Sequence, residues 1–246
     1  MFVKQAVDDM TAAWLRREHE MYVAIGARPW MAAVIGWVDG DRPLLVLEDL
    51  SRATWPPPWD RPGVGAVLDT LAEVAEAHAP AQLPRLADGE RPDEGWHRIL
   101  AHPAEFLSLG LCGAGWIDRA GPVLVEAAAA APLAGDGLVH GDVRSDNLCL
   151  REGCAVLLDW NFASIGNPQY DQAFWLPSLA AENGPRPDDV MPDCPAPLAA
   201  CVAGFFASRA GEPPIPHAPD VRQVQLQQLR TALPWAARAL SLPPPA

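Results

Sequence analysis

The chain has 246 residues, half of them hydrophobic, so it is long enough for one large domain or for a small lobe and a larger one. Its formal net charge of −13 argues against nucleic acid as a partner; the charge would suit a cationic substrate, or would simply confer solubility. The sequence shows no membrane span, no apolar signal core and no C-x-x-C pair among its five cysteines. We therefore expect a cytoplasmic protein without a membrane partner, a disulfide framework or a zinc site.

The first fifty residues predict strands around one helix. Residues 2–6 are typical of a strand, and this strand carries a single lysine, Lys4. Residues 8–25 predict an amphipathic helix, because apolar and charged positions alternate with helical spacing. Two further strands are predicted at 31–38 and 43–50, joined by an Asp-Gly-Asp turn.

The remainder of the chain is predicted to be mostly helical. The Trp-Pro-Pro-Pro-Trp sequence within residues 52–62 excludes an ordinary helix there. Residues 183–197 contain five prolines and several acids, which favours a loop. The predicted helices cover residues 64–78, 96–109 with a break at Pro103, 115–131, 171–181, 198–209 and 221–240.

The most informative stretch lies at residues 139–148. It places Asp142 and Asn147 five residues apart in a tight polar loop, and an apolar strand then ends at Asp159. A carboxylate can accept a proton from an attacking hydroxyl, and amide and carboxylate oxygens are ligands that suit Mg²⁺. The stretch therefore supplies the groups that a phosphoryl-transfer site requires.

The same residues resemble the catalytic loop and metal-binding aspartate of kinases. In the form HGDVRSDNLCL…VLLDWNFA they are similar to the aminoglycoside phosphotransferase and choline-kinase-like family of small-molecule kinases. Gly141 stands where protein kinases carry arginine, and Asp159 is followed by Trp-Asn instead of Phe-Gly. Residues 166–173 also resemble this family.

This resemblance implies an α+β, protein-kinase-like fold with two lobes. Residues 1–50 would form a partial N-terminal nucleotide-binding lobe, and residues 51–246 a large, mostly helical C-terminal lobe for catalysis and substrate binding. The family's first strands and phosphate-covering loop would precede Lys4, so the small lobe is expected to be incomplete. A wrongly assigned start codon, a truncated chain and a genuinely shortened protein remain open, and we expect weak ATP affinity and a slow or absent reaction.

The resemblance also implies roles for individual residues. Asp142 would orient the acceptor hydroxyl and take its proton, while Asn147 and Asp159 would hold Mg²⁺. Lys4 would hold the nucleotide phosphates, steadied by Glu18. Glu20 is the alternative partner for this lysine.

Supporting roles are implied for other positions. Backbone groups of Glu48, Asp49 and Leu50 would meet the adenine edge of the nucleotide, and His140 and Asp171 would hold the catalytic loop in shape. Arg144 is open to two interpretations, a phosphate or carboxylate contact and a surface charge. Three acids could meet an amine-bearing substrate, although a solvated loop is the commoner explanation; they are Glu182, Asp188 and Asp189.

The expected activity is transfer of a phosphoryl group from ATP or GTP to a hydroxyl of a small, possibly cationic molecule. A choline, homoserine or sugar-amine kinase of the same superfamily is an alternative. A non-catalytic, degenerate kinase-fold protein that has lost its nucleotide lid is another.

Overall fold

The computed structural model describes residues 1–215 and 218–245 of an α+β chain. Three short 3₁₀ turns occur at Leu86–Asp88, Ser145–Asn147 and Trp160–Phe162. The strands and α-helices, in chain order, are β1 Phe2–Gln5, α1 Asp9–Ile25, β2 Val34–Val38, β3 Leu44–Leu47, α2 Arg61–Glu76, α3 Glu94–Ala101, α4 Ala104–Ser108, α5 Ala114–Ala129, β4 Gly137–Val139, β5 Leu148–Arg151, β6 Cys154–Leu157, β7 Ser164–Gly166, α6 Gln169–Ala181, α7 Pro187–Val190, α8 Ala196–Ala210 and α9 Val221–Ala239.

The chain divides into two compact units. The first comprises residues 1–86 and 134–172, and the second comprises residues 87–133 and 173–246. All of the strands β1 to β7 belong to the first unit. The predicted division into lobes of residues 1–50 and 51–246 stays a prediction.

The first unit contains a three-stranded antiparallel sheet in the order β1-β3-β2. Lys4 pairs directly with Leu45, and directly paired residues of an antiparallel sheet share a face. Because Leu45 is fully buried, this register turns the Lys4 side chain toward the interior of the unit.

Helix α1 packs against this sheet. Asp8 caps the helix, since its carboxylate accepts from the Thr11 N–H at 2.8 Å while the Thr11 hydroxyl accepts from the Asp8 N–H at 3.0 Å. The buried residues of α1 recur every three or four positions and include Leu15, Glu18 and Tyr22. A glutamate therefore lies on the buried face of the helix, where an apolar residue would be usual.

Two antiparallel strand pairs complete the first unit. Strand β4 pairs with β7, and β5 forms a hairpin with β6. Helix α2 packs on β4 and β6; its first turn is capped by Asp60, whose carboxylate accepts from the Gly63 N–H at 2.8 Å. These pairs present the loop after β4 and the residues after β6 side by side.

The second unit is helical and is centred on α8, which contacts α3, α4, α5 and α9. Trp96 of α3 is fully buried, and its indole N–H donates to the Ala200 carbonyl at 2.9 Å. The close approach depends on Gly204, because a Cβ at this position would lie 2.7 Å from the Trp96 indole nitrogen. Small residues along α8 thus let large aromatic residues pack against its backbone.

The α+β fold class is confirmed, and most predicted elements appear within a few residues of their predicted bounds. One expectation was wrong: residues 183–197 are not only loop, because α7 begins at Pro187. Proline is pre-organised for a first helical position, and the acids that follow it favour a helix N-terminus. Within the described parts of the chain, we find no helix that combines the length and the apolar character required to cross a membrane.

Candidate active site

The site is built on the two neighbouring strand pairs of the first unit. The catalytic loop, residues 140–147, runs from the end of β4 to the start of β5 and closes with a 3₁₀ turn. The Leu158 N–H donates to the Asn147 carbonyl at 2.8 Å, which extends the β5–β6 pairing beyond the strands. This bond brings Asp159, the next residue, beside the end of the catalytic loop.

His140 is a fully buried, neutral member of the loop. Burial lowers its pKa to about 4, against opposing effects of the Leu158 carbonyl and Asp159. Its Nε2 lies 2.8 Å from the Leu158 carbonyl oxygen, which can only accept, so Nε2 carries the proton. Nδ1 then accepts from the Asp142 N–H at 3.2 Å, and the ring lies edge-on to Trp160 at a centroid distance of 4.5 Å. Both ring nitrogens of His140 are therefore engaged in contacts within the site.

Asp171 anchors the loop from the first turn of α6. Its carboxylate accepts from the His140 N–H at 2.6 Å and from the Gly141 N–H at 2.8 Å. Burial raises the pKa of Asp171, and the two backbone donors oppose that rise. These contacts are of the kind that the predicted role in holding the loop geometry requires, and that role stays a prediction.

Gly141 is required by the backbone path of the loop. Its φ of +85° is a conformation that L side chains rarely adopt, and a Cβ here would lie 2.7 Å from the Phe162 carbonyl oxygen. The loop therefore passes close to the turn that follows Asp159. An arginine at this position, as in protein kinases, would not fit.

Asp142 and Asn147 are in direct contact. The Asn147 amide donates to Asp142 Oδ2 at 2.9 Å and to the Asp142 carbonyl at 3.0 Å. Burial raises the pKa of Asp142 to about 6, while Arg144 opposes the rise. The Asp142 side chain remains about one-fifth exposed, at 21%, so a substrate can reach it.

Asp159 occupies a strained position at the end of the second strand pair. Its φ of +64° lies in the left-handed region, which is sparsely populated by residues other than glycine. Oδ1 accepts from Lys4 Nζ at 3.0 Å and from the Asn161 amide at 3.0 Å. The described residues give Oδ2 no partner, and the side chain is 38% exposed.

Lys4 joins this carboxylate to helix α1. Its ammonium donates to both carboxylate oxygens of Glu18, at 2.8 and 2.9 Å. Burial lowers the pKa of Lys4, but the charges of Glu18 and Asp159 more than reverse this, so the pKa lies above its ordinary value. Burial is also the largest influence on Glu18, whose pKa rises to about 7 although the Lys4 ammonium opposes the rise. Glu20 is exposed, and Glu18 is the partner of Lys4.

The segment predicted to meet the adenine edge has a specific pattern of used and unused backbone groups. The Glu48 N–H donates to the Ala33 carbonyl, and the Leu50 carbonyl accepts from the Ala53 N–H and from the Trp55 indole. The Glu48 carbonyl and the Leu50 N–H make no hydrogen bond with the described residues. Asp49 is exposed, with Oδ1 accepting from the Ser51 N–H.

The acids proposed to meet a substrate belong to the second unit. Asp188 is held by Arg238, with Oδ2 at 3.1 Å from Nε and 2.5 Å from Nη2. Asp189 is exposed, and Glu182 is half-buried just after α6. Their role in binding a substrate stays a prediction.

The sequence reasoning did not identify several residues that the structure places around Asp159. Arg17 donates to the Asn161 carbonyl at 2.7 Å and so connects α1 to the turn after Asp159. The hydroxyl of Tyr22, one helical turn beyond Glu18, and Oδ1 of Asn161 are buried and have no hydrogen-bond partner among the described residues. The helical spacing of Glu18 and Tyr22 could have indicated the tyrosine, whereas nothing in the sequence pointed to Asn161.

The donor groups around Asp159 fit a hard divalent cation. Within the described residues no cluster of three His, Cys, Asp or Glu side chains could hold a metal. The predicted set differs from such a cluster because it combines the Asp159 carboxylate with the Asn147 amide. No described residue donates to Oδ2 of Asp159, and Oδ1 of Asn161, whose amide nitrogen contacts Asp159, is a further hard acceptor in the same turn. Mg²⁺ suits such a set, since it is usually held by few protein oxygens together with substrate phosphates.

Comparison with protein-family models identifies the chain. Residues 3–204 match the model of the phosphotransferase enzyme family. The chain belongs to this family. The resemblance seen in the catalytic loop is thereby confirmed, and the protein is a phosphotransferase. No curated protein sequence matches the chain.

Solved structures of phosphotransferases share the fold. A choline/ethanolamine kinase family protein from Mesorhizobium loti is 15% identical, with a TM-score of 0.57 over 97% of this chain and 85% of that one. A thermostable mutant of aminoglycoside phosphotransferase APH(4)-Ia, in ternary complex with AMP-PNP and hygromycin B, is 17% identical, with a TM-score of 0.53 over 92% and 82%. The streptomycin-ATP complex of APH(2")-IIa is 11% identical, with a TM-score of 0.53 over 94% and 83%.

Proposed function

We propose that this phosphotransferase moves the terminal phosphoryl group of a nucleoside triphosphate to a hydroxyl of a small molecule. One observation supports this above the others. Asp142 is in contact with Asn147. Asp159, beside Asn147 in the fold, accepts a hydrogen bond from Lys4, which also donates to Glu18. These contacts support the proposal, because a phosphoryl-transfer site needs a base, oxygen donors for a metal and a cation for the phosphates.

Asp142 would orient the acceptor hydroxyl and take its proton. Its position supports this role, because the carboxylate is partly exposed and is fixed by the Asn147 amide. A base is most effective when its pKa lies near the working pH, and burial moves the pKa of Asp142 to about 6. Neutral, buried His140 is not a competing base.

Lys4 would bind the phosphates of the donor. A lysine side chain is flexible, and the bidentate contact with Glu18 holds its ammonium against Asp159. Asn147 and Asp159 would hold Mg²⁺, which supplies charge neutralisation on the phosphates when it is bound. Two solved relatives of the same fold contain AMP-PNP or ATP, which supports a nucleotide donor.

The adenine edge would meet the backbone after β3. Adenine presents an amino donor beside a ring-nitrogen acceptor. The unused Glu48 carbonyl and Leu50 N–H offer the complementary acceptor and donor, with Asp49 between them. Residues 1–50 would then provide most contacts to the nucleotide, and the acceptor would be bound by the remainder of the chain.

The acceptor is proposed to be a cationic small molecule. Solved relatives are complexed with hygromycin B and streptomycin, and another belongs to a choline/ethanolamine kinase family. The net charge of −13 favours such a ligand. Glu182, Asp188 and Asp189 are the acids proposed to meet it, with Asp188 shared with Arg238.

The proposal is tested by a transfer assay with γ-labelled ATP and GTP. The acceptor panel comprises aminoglycosides, macrolides, choline and amino-alcohols, each assayed with Mg²⁺ and with excess chelator. Label should appear on at least one acceptor, only with Mg²⁺, and not with an Asp142→Asn variant. Nucleotide binding without transfer to any acceptor would favour a binding protein of the same fold instead.

A further inference from the structure

Arg144 is held rigidly within the catalytic loop. Its Nε donates to Asp146 Oδ1 at 2.9 Å and its Nη2 donates to Asp146 Oδ2, so two parallel hydrogen bonds fix the plane of the guanidinium. The same Nε lies 4.0 Å from Oδ1 of Asp142. Only 23% of the side chain is exposed, which is low for an arginine of a surface loop.

The guanidinium has N–H donors for which the described residues provide no acceptor. Arginine carries five N–H groups, and Asp146 engages Nε and Nη2. Among the described residues, none accepts from Nη1. Burial lowers the pKa of Arg144, but the carboxylates of Asp146 and Asp142 reverse this, and the side chain is a permanent cation. A fixed cation with free donors beside the base is suited to an oxyanion.

The balance of charge in the site points the same way. Carboxylates outnumber cations there, with Lys4 placed at Asp159 and Arg144 placed at Asp142. A polyphosphate that enters this site meets strong repulsion unless cations lie close to its oxygens. Lys4 and the proposed Mg²⁺ lie on the side of Asp159 and Asn147, and Arg144 is the protein cation placed at Asp142.

We propose that the guanidinium of Arg144, positioned by Asp146, binds the phosphoryl group during its transfer. The inference rests on the proposed function, in which Asp142 holds the acceptor hydroxyl. The bond from the acceptor oxygen to phosphorus forms as the bond to the bridging oxygen of the nucleoside diphosphate breaks, and the hydroxyl proton passes to Asp142. Arg144 gives up no proton and stabilises charge on the moving group.

Binding of AMP-PNP and ADP tests this contact directly, since only AMP-PNP carries the third phosphate. Titration calorimetry compares wild type with Arg144→Gln and Arg144→Lys in the presence of Mg²⁺. Arg144→Gln should lose about tenfold or more in affinity for AMP-PNP and little for ADP, which is the usual scale of a charged hydrogen bond. Arg144→Lys keeps the charge, but Asp146 cannot hold a lysine with two parallel hydrogen bonds. Its affinity for AMP-PNP should therefore lie between those of wild type and Arg144→Gln. The control is Arg16→Gln. Arg16 also pairs with an aspartate through Nε, which donates to Asp39 Oδ1 at 2.8 Å.

Turnover gives a second readout. The kcat of Arg144→Gln should fall by on the order of 10²-fold or more, with a smaller change in the KM of the acceptor. Added guanidinium ion should restore part of the rate of an Arg144→Ala variant, which a purely structural role would not allow. Asp146→Asn should reduce kcat less than Arg144→Gln does, because the cation is retained but less well placed.

The outcomes separate the inference from the function on which it rests. Unchanged kcat and an unchanged AMP-PNP to ADP affinity ratio in folded Arg144→Gln would overturn the inference and leave the proposed function standing. A wild-type protein that neither binds AMP-PNP nor transfers phosphate would overturn both. If Arg144→Gln does not fold, the affinity ratio of Arg144→Lys decides: a wild-type ratio would contradict the inference.

Discussion

The ammonium of Lys4 donates to Oδ1 of Asp159 at 3.0 Å, although 155 positions separate the two residues in the chain. Lys4 reaches this point because β1 pairs with β3 and α1 packs on the sheet. Arg17 of the same helix donates to the Asn161 carbonyl and holds the turn after Asp159. Lys4 and Asp159, which we propose to bind the phosphates and the metal, are thus joined through α1.

The Lys4–Glu18 pair is predicted to matter for stability as well as for nucleotide binding. Glu18 is 1% exposed, so Lys4→Met leaves a buried carboxylate without its partner. Loss of one member of a buried pair costs about 3 kcal/mol or more in the free energy of unfolding. Lys4→Met/Glu18→Leu removes both charges and should recover much of that loss without recovering nucleotide binding. Urea denaturation of the single and double variants measures the coupling, and additive losses would contradict the prediction.

Asp142 is predicted to be essential for turnover but not for folding. Asp142→Asn retains the size of the side chain and removes the proton acceptor, so kcat should fall by roughly 10² to 10⁴. The melting temperature should change little. Asp41→Asn, in the exposed turn between β2 and β3, is the matched control and should keep the wild-type rate. An Asp142→Asn protein with the wild-type kcat would remove Asp142 from the role of base.

The sequence predicts which residues lie together when they are close along the chain. It predicts this less well when tertiary packing brings them together. Asp142, Asn147 and Asp159 follow from one local pattern, since two short strand pairs leave little freedom in how they meet. Glu18 could not be separated from Glu20 by sequence, because only the register of β1 and the rotation of α1 decide which of them faces Lys4.

Other features depended on three-dimensional packing alone. The orphaned oxygen of Asn161 and the tether from Arg17 arise where α1 meets the turn after Asp159, and no periodicity encodes that contact. The guanidinium of Arg144 could not be assigned from sequence, since a loop arginine is usually solvated; its bidentate contact with Asp146 became visible only in the folded loop. The helix that begins at Pro187 is hard to predict from sequence, because proline disrupts the interior of a helix but is favourable in its first turn.

Gly141 is predicted to be sensitive for a steric reason that can be separated from backbone strain. Gly153, in the turn between β5 and β6, has a nearly equal φ of +83°, but a Cβ there would meet no atom within 4 Å. Gly153→Ala should therefore cost only the backbone strain, about 1 to 2 kcal/mol in the free energy of unfolding. Gly141→Ala carries the same strain and also collides with Phe162, so it should lose more stability and most activity. Equal losses in the two variants would show that the collision has no effect.

His140 predicts a dependence of stability on pH. Its pKa falls from 6.5 to about 4 on folding, so the folded state favours the neutral ring. This contribution is complete above pH 6.5 and is lost as the pH falls from 6.5 toward 4. The stability advantage of wild type over His140→Phe should shrink by roughly 3 kcal/mol over that range. Denaturation curves at several pH values measure the difference, and a constant difference would show that His140 does not contribute in this way.

The central claim is that Asp142, Asn147 and Asp159 gather a divalent cation and a nucleotide phosphate beside a hydroxyl acceptor. The most direct measurement is a crystal structure with Mn²⁺ and AMP-PNP, with the metal located by its anomalous scattering. The account predicts a manganese peak within coordination distance of an Asn147 amide oxygen and an Asp159 carboxylate oxygen, with the triphosphate along Lys4 and its terminal phosphorus facing Asp142. A metal and nucleotide bound elsewhere in the chain, with these three side chains untouched, would contradict it.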